Sequence, residues 1–197
     1  DRQAVEELAE RVRARHPRLG LLVNGAGIPA RTSFLEGDPG RIELVLAINY
    51  LGTVWCTRAF LPALEAARPS DIVNVVSVAG TVAWAPAGPY GAAKAAQLAF
   101  SRATEVELRP RGVRVHTVNP GFVATEGFPQ SHLARRPVLG RLVVGPEAIA
   151  RHVLGVLDRD RRETFVPAWY RVAPLAQALV PGLIARRGGR FGRKRGV

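Results

Sequence analysis

Three polar side chains near the middle of the chain have types and a spacing that suit proton transfer. Ser77 ends an apolar run, and Tyr90 and Lys94 stand four positions apart on the segment that follows. Positions i and i+4 share one face of a helix, so the phenol and the amine are expected to lie together. A nearby ammonium favours the phenolate, which lowers a tyrosine pKa from its usual value of about 10. The pattern predicts that Lys94 makes Tyr90 a general acid/base.

The use of lysine and asparagine points to the same region. The chain has 28 lysines and arginines, but its only lysines are Lys94 and Lys194, so Lys94 is interpreted as a position that needs a compact ammonium. There are four asparagines, at strand ends, in a strand, or inside a helix where asparagine is not locally favoured. These are Asn24, Asn49, Asn74 and Asn119.

The apolar pattern predicts helices that alternate with buried strands. Helices are predicted at residues 1–16, 38–67, 90–108 and 147–157, and strands at residues 19–23, 72–78, 113–118 and 164–166. Parallel strands need crossover helices, so the expected fold class is α/β with a doubly wound parallel sheet. Ligands of such sheets bind beyond the carboxyl ends of the strands. Ser77 and the polar turns at residues 24–27 and 119–121 are expected at that edge.

Taken together, these motifs resemble those of the short-chain dehydrogenase/reductase family. They are Asn24-Gly25-Ala26-Gly27 after a strand, Asn49 in a helix, Ser77, Tyr90-x-x-x-Lys94 and Asn119-Pro120-Gly121. A Tyr-x-x-x-Lys pair alone arises by chance on many helices, whereas five motifs in order are specific. The resemblance covers residues 1–166 and implies a Rossmann-like oxidoreductase that interconverts an alcohol and a carbonyl compound with NAD or NADP.

The resemblance also implies a role for each matched residue. Tyr90 would exchange a proton with the substrate oxygen, Ser77 would hydrogen-bond that oxygen, and Lys94 would also bind the nicotinamide ribose. Asn49 would hold a water that links Lys94 to solvent, or else only bond a neighbouring carbonyl. Thr125 is either a cofactor contact or a turn-forming hydroxyl. The implied cofactor contacts besides Tyr90 and Lys94 are Asn24, Ala26, Gly27, Pro120, Gly121, Val123 and Thr125.

The sequence departs from the family at its front. Members begin with a strand, a Thr-Gly-x-x-x-Gly-x-Gly turn, a helix and a second strand that selects NAD or NADP, and the chain shows none of these. It contains no methionine and opens inside a helical pattern, so we expect that Asp1 is not the natural start. About two βα units of roughly thirty residues each are missing by this interpretation. Residues 1–168 are then the C-terminal part of one domain that binds dinucleotide poorly by itself, and residues 169–197 are a tail.

The tail raises three further possibilities. Six of the twelve formal positive charges lie there with no acid between them, on Arg186, Arg187, Arg190, Arg193, Lys194 and Arg195. The other charges are mixed with acids and lack the interleaved aromatics of single-strand binders, so no nucleic acid is expected. Residues 169–184 are apolar and predict packing on this subunit or another. Contact with an anionic membrane surface is the alternative, and nucleic-acid binding by the tail is a third option.

Other chemistries are disfavoured. Val75 stands where a Gly-x-Ser-x-Gly hydrolase turn requires glycine, and the four histidines lack metal-ligand spacing, so no metal is predicted. The single Cys56 lies in an apolar helix and indicates an inert, buried thiol in a reducing compartment. No signal peptide and no apolar run of about eighteen residues is visible. A cytoplasmic location is therefore expected.

The substrate and the oligomeric state are expected only in outline. By resemblance, residues 126–145 form a substrate lid, and its apolar residues together with Val82, Trp84 and Pro86 favour a hydrophobic substrate. Covering of the core explains these residues equally well. Family members pair through two long helices, here residues 41–67 and 90–108, so a homodimer or homotetramer is expected. A cofactor-free binding or scaffold protein and a peripheral membrane protein are the alternatives to an enzyme.

Overall fold

A four-stranded parallel sheet forms the centre of the computed structural model, which describes residues 1–30, 32–83, 88–125 and 143–184. Its strands lie in the order β1, β2, β3, β6, which are Leu21–Asn24, Ser70–Val75, Val113–Pro120 and Glu163–Val166. A separate parallel pair joins β4 (Phe122–Val123) to β5 (Val143–Val144). The predicted parallel sheet is confirmed.

Helices cover both faces of this sheet. One face carries α1 (Arg2–Arg15), α3 (Gly52–Ala67) and α4 (Gly88–Leu108), and the other carries α5 (Pro146–Asp158). Between the sheet and these helices lie two apolar cores, built around Ile72 and Val115 on the first face and Val73 and Val118 on the second. Strands buried on both faces read as continuous apolar runs. The doubly wound α/β fold class predicted from those runs is therefore correct.

Strand β2 ends earlier than predicted. The prediction continued the strand through Val78, but the parallel ladder stops at Val75. Ser77 instead caps a 3₁₀ turn at Val78–Gly80, where its hydroxyl accepts a hydrogen bond from the Ala79 N–H at 3.1 Å. A serine hydroxyl competes in this way with regular backbone pairing. Strand β3 differs in the opposite sense, because it includes Asn119 and Pro120, which were expected to follow it.

The predicted helix at residues 38–67 contains a π turn that the sequence pattern did not indicate. Asp38 caps α2 (Pro39–Leu46) by accepting from the Gly40 and Arg41 N–H groups. A π turn at Ala47–Leu51 then joins α2 to α3, and the Gly52 N–H donates to the Ala47 carbonyl five residues back. Single π turns inside helices are frequent at functional sites. Here the turn contains Asn49.

This continuous helix is also more apolar than expected. By length and composition, Pro39–Ala67 is long and apolar enough to cross a bilayer, with a mean hydropathy of 1.4 in its best window. We had expected no such run. In the structure it is a core helix of the α/β domain, since Val45, Phe60 and Leu64 are buried in the apolar cores. Only 28% of the apolar window is buried, which leaves apolar surface on its outer side.

Two parts of the described chain lie at the margins of the sheet. Strand β1 pairs only with β2, and its Leu21 and Val23 side chains are half-exposed. This is the edge where the family resemblance places further strands. At the other end, a 3₁₀ turn at Ala168–Arg171 follows β6 and leads into α6 (Val172–Leu179). The exposed apolar edge at β1 is of the kind that another element normally covers.

Candidate active site

Ser77, Tyr90 and Lys94 meet just beyond the carboxyl end of β2. The 3₁₀ turn after Ser77 packs directly on α4, and a Cβ atom at Gly80 would lie 2.7 Å from the carbonyl carbon and oxygen of Lys94. The Ser77 and Tyr90 hydroxyls hydrogen-bond to each other. The Lys94 Nζ lies 5.9 Å from the centre of the Tyr90 ring. The three residues predicted to act together therefore share one site.

Lys94 is buried, since only 4% of the residue is exposed to solvent. Its Nζ donates to the Val75 carbonyl at 3.0 Å and to Gln97 Oε1 at 2.8 Å. An ammonium has three donors, so one N–H is left for another acceptor. Burial lowers the pKa of Lys94 from 10.5 to about 8 because the charged form loses its solvation. Burying this charge opposes folding below pH 8, and that opposition fades as the pH rises toward 10.5.

The pKa of the Tyr90 phenol is shifted in the opposite direction to the one predicted. We expected Lys94 to lower the pKa of Tyr90, but burial raises that pKa, and the hydrogen bond from Ser77 offsets only part of the increase. The geometry explains the difference, because the bonds of the Lys94 amine run to Val75 and Gln97. In this structure the predicted direction of the shift is wrong, although the predicted proximity of the two side chains is correct.

Asn49 holds the loop that follows β1. It is fully buried, its Oδ1 accepts from the Ile28 N–H at 2.7 Å, and its Nδ2 donates to the Ile28 carbonyl at 2.9 Å. Both ends of the amide are thus used structurally, which is the alternative role considered from the sequence. The water relay stays a prediction. The clamp places Gly27 above the amine: a Cβ there would lie 3.0 Å from Asn49 Oδ1 and 3.7 Å from Lys94 Nζ.

Gln97 is a residue of this site that the sequence analysis did not single out. It is fully buried, and its Nε2 donates to Thr53 Oγ1 at 2.8 Å. The Thr53 hydroxyl in turn lies 3.5 Å from the Asn49 carbonyl oxygen. A signal was available, since Gln97 is a polar residue three positions after Lys94 and therefore on the same helix face.

The Asn24 side chain is directed into the protein interior. Its Nδ2 donates to Asn74 Oδ1 at 2.8 Å and to Thr57 Oγ1 at 3.2 Å. Asn74 continues the row by donating to the Ser101 hydroxyl at 2.9 Å. The predicted contact of Asn24 with the adenosine side of a cofactor would therefore have to use its backbone. Ala26, the next predicted contact in this loop, is exposed.

The four residues predicted after β3 occupy different environments. Pro120 is buried, and its carbonyl oxygen lies 3.5 Å from Ser77 Oγ, so it borders the site. Gly121 packs on the Tyr170 ring so closely that any side chain there would overlap it. Val123 is half-buried in β4, and Thr125 is exposed. The structure thus brings Pro120 to the Ser77 hydroxyl and uses Gly121 to dock the segment after β6.

Two histidines outside the site make hydrogen bonds within the protein. His116 bonds Asp71 and the Arg161 carbonyl, and His152 bonds Thr164. The described ranges contain no group of His, Cys, Asp or Glu side chains suited to a metal ion. Cys56 is partly exposed rather than buried, although desolvation still raises the pKa of its thiol.

Some predictions fall outside the described residues. These are the greater part of the expected substrate lid, at residues 126–142, two of the apolar residues expected beside it, and the basic end of the tail. The residues concerned include Trp84, Pro86, Arg186, Arg187, Arg190, Arg193, Lys194 and Arg195.

The sheet and the Ser77, Tyr90 and Lys94 group define a Rossmann-like α/β domain with a polar site at the carboxyl end of its strands. Residues 1–135 match the family described as short chain dehydrogenase, and the chain belongs to that family. A crystal structure of a short chain dehydrogenase from Burkholderia cenocepacia in complex with NADP is similar over 95% of this chain and 74% of that chain. The TM-score is 0.79 and the sequence identity 28%.

Two curated relatives show the range of the family. Galactitol 2-dehydrogenase (L-tagatose-forming) of Cereibacter sphaeroides is 39% identical over 128 residues, which are 64% of this chain and 50% of that protein. A 3-oxoacyl-(acyl-carrier-protein) reductase of Thermotoga maritima is 31% identical over 161 residues, or 78% and 65% of the two chains. The chain thus spans from half to about two thirds of the length of these relatives.

We expect Gly80→Ala to disrupt the contact between the 3₁₀ turn and α4. The new Cβ would meet the Lys94 backbone at 2.7 Å, which cannot move aside as a flexible side chain could. Overpacking of this kind costs about 1–3 kcal/mol. Urea denaturation measures the loss, with Gly40→Ala as the control because a Cβ at Gly40 makes only ordinary contacts, the nearest at 3.5 Å. Equal stability of the two variants would contradict this packing.

Proposed function

We propose that this chain carries the catalytic residues of an NAD- or NADP-dependent oxidoreductase that interconverts an alcohol and a carbonyl compound. The supporting observation is that the hydrogen-bonded hydroxyls of Ser77 and Tyr90 lie near the Lys94 amine at the carboxyl end of β2. In open α/β sheets this edge is where ligands bind. Family membership and the NADP complex of the Burkholderia relative support the same function.

The residues around Lys94 fit the nicotinamide half of a dinucleotide. Gly27 leaves room beside the amine that a Cβ would fill, and the third N–H of Lys94 has no acceptor recorded among the described residues. A ribose hydroxyl in that space would accept from Lys94. A bound nicotinamide supplies or accepts the hydride. The loop at residues 24–27 lacks the glycine fingerprint for a pyrophosphate, so residues 1–197 alone should bind dinucleotide weakly.

Tyr90 exchanges the proton with the substrate oxygen in this proposal. Because burial raises its pKa, the phenol is protonated at neutral pH and can donate to a carbonyl oxygen that gains negative charge. Ser77 would turn its single hydroxyl proton from the phenol to the same oxygen and donate a second hydrogen bond there. The site in this state suits carbonyl reduction. Alcohol oxidation requires the phenolate, which the protonated form of Lys94 would favour.

The proposed substrate is a small alcohol or carbonyl compound of hydrophobic character. Two apolar residues support this character, since Val82 is partly buried just after the Ser77 turn and Val78 is buried within it. The two curated relatives carry names of a polyol dehydrogenase and an acyl-chain reductase, so the family accommodates very different substrates.

Replacing Tyr90 tests the catalytic assignment. In the full-length gene product that contains residues 1–197, Tyr90→Phe should lower kcat about 100-fold or more, since it removes the proton donor but keeps the ring. The absorbance of the reduced nicotinamide reports the rate. Tyr50→Phe is the matched control, because the Tyr50 ring packs edge-on against Phe100 at 6.5 Å between ring centres. If both variants retained full activity, Tyr90 would not be the acid/base.

A second copy of the chain is the proposed partner. Leu44 and Leu51 on the outer side of the Pro39–Ala67 helix are exposed, and Val106 on α4 is 72% exposed. Since only 28% of the apolar window of that helix is buried within the chain, a further surface is needed to cover it. The predicted homodimer or homotetramer through these helices supplies such a surface.

Sedimentation velocity tests this interface. Val106→Arg places a charge on the exposed face of α4 and should shift the protein toward monomer, because an unpaired charge is costly to bury. Leu154→Arg is the control, since Leu154 is 62% exposed on α5, on the opposite face of the sheet. Wild-type protein that sediments as a monomer would contradict the proposal.

One observation favours membrane-surface binding as a second candidate function. Val172, Leu175 and Leu179 on α6 are all more than half exposed, and Leu183, further along, is half exposed. The sequence beyond them is strongly basic. Apolar side chains beside cationic ones suit the surface of an anionic bilayer. The proposed occupant of this face is therefore an anionic lipid surface.

Co-sedimentation with vesicles distinguishes binding to a membrane surface from packing of this apolar face on a protein surface. The chain should pellet with vesicles containing phosphatidylglycerol and stay in solution with pure phosphatidylcholine. Leu179→Gln, at a position 79% exposed, should reduce the bound fraction several-fold, whereas Leu154→Gln on α5 should not. Failure of the wild-type chain to pellet with anionic vesicles would exclude this function.

A further inference from the structure

The residue that holds the Lys94 amine lies outside the Tyr-x-x-x-Lys motif. Gln97 Oε1 accepts from Lys94 Nζ at 2.8 Å, and this is a shorter contact than the one to the Val75 carbonyl at 3.0 Å. Gln97 is fully buried, and Lys94 and Thr53, with which it bonds, are each only 4% exposed. The contact is therefore shielded from water. Hydrogen bonds to charged groups are strongest in such a buried environment.

The donors and acceptors allow one orientation of the Gln97 amide. An ammonium only donates, so the oxygen of the amide must face Lys94 and its nitrogen must face Thr53. Reversing the amide would place two donors together. Thr53 then accepts from Gln97 and directs its own hydrogen to the Asn49 carbonyl at 3.5 Å. The Lys94 amine is thereby connected, bond by bond, to the π turn at Ala47–Leu51.

We propose that Gln97 is a positioning residue, which holds the Lys94 amine under Gly27 with one N–H directed to a ligand hydroxyl. Thr53 fixes the amide, and the Val75 carbonyl fixes the amine from the strand side. The consequence for catalysis rests on the proposed oxidoreductase function. The effect of Gln97 on the pKa of the Lys94 amine does not depend on that function.

The charge balance around Lys94 makes this role measurable. Within the described residues no carboxylate contacts the amine, and the groups around it are the Val75 carbonyl, the Gln97 oxygen, the Asn49 oxygen beyond Gly27, and the Tyr90 ring. The charged form of Lys94 thus depends on two neutral acceptors. A glutamine that merely filled the core would affect stability and leave the titration of Lys94 unchanged.

The chain permits a direct measurement because it has two lysines. Labelling lysine with carbon-13 at Cε gives two resonances, one from Lys94 and one from Lys194, and Lys194→Arg removes the second and so assigns the first. In the wild-type chain Lys94 should titrate at about pH 8. Gln97→Leu should lower that midpoint by about one pH unit or more, because a lost bond to a charged group disfavours the charged form. Gln97→Glu should raise it, since a carboxylate restores the acceptor and adds a charge.

Two threonines provide the matched pair of controls. Thr53→Val keeps the side-chain shape but removes the hydroxyl that orients Gln97, so the Lys94 midpoint should fall, though less than in Gln97→Leu. Thr57→Val, one helical turn further along α3, removes a hydroxyl that bonds Asn24 and should leave the midpoint unchanged. If Gln97→Leu fails to fold, the threonine pair still decides the question. An unchanged Lys94 midpoint in folded Gln97→Leu, or in Thr53→Val where that is the variant that folds, would overturn the proposal.

Turnover in the full-length gene product separates this proposal from the proposed function. There, Gln97→Leu should lower kcat more than it changes KM, and should displace the pH profile in the same direction as the Lys94 midpoint. If the wild-type protein turned over no carbonyl compound with NADH or NADPH, the oxidoreductase function would be wrong. The titration of Lys94 would still decide the role of Gln97.

Discussion

The site depends on one buried amine that ties three parts of the chain together. Lys94 is anchored on α4, donates to the last residue of β2, and reaches the π turn through Gln97 and Thr53. The same π turn clamps the loop after β1 through Asn49 and the Ile28 backbone. Because a buried ammonium is costly unless its hydrogen bonds are made, these three segments are held at fixed distances from one another. The position of Gly27 above the amine follows from that constraint.

Burial has opposite consequences for the two titrating groups of the site. It lowers the pKa of Lys94 and raises the pKa of Tyr90, so each group is driven toward its neutral form. The pair is therefore less polar than a phenolate beside an ammonium. A nearby row of buried hydrogen bonds through Asn24, Asn74 and Ser101 adds rigidity, since each amide has its partner. This polar row lies between the sheet and the helices α3 and α4, on the same face of the sheet as Ile72.

Much of the fold could be predicted because the strands are buried on both faces and the helices are long. Continuous apolar runs at Ile72 and Val113 revealed the parallel strands, and the four-residue spacing of Tyr90 and Lys94 placed them on one helix face. The end of β2 could not be predicted from apolarity, because Val76 and Val78 are as apolar as the residues inside the strand. The capping bond of Ser77, a local competition with the ladder, decided where it ended.

The parts of the site that escaped prediction depend on tertiary surroundings. Nothing in the residue types of Ala47–Leu51 distinguishes a π turn from an α-helix. The direction of the Tyr90 pKa depends on how deeply the ring is buried and on which acceptors the amine chooses, and neither follows from spacing. Gln97 was within reach of the periodicity, but its importance emerges only from the neighbours at both ends of its amide.

The π turn has a further consequence for how one long helix serves two purposes. An α-helix advances about 100° per residue, so an inserted residue offsets the angular phase of everything after it relative to everything before. Val45, before the turn, packs with Ala93 of α4, whereas Phe60 and Leu64, after it, pack on the sheet. A helix of uniform phase would have to compromise between these two directions. The extra residue lets the two parts of the helix face different directions. The residues that pack near the site and those in the core of the domain can therefore be substituted independently.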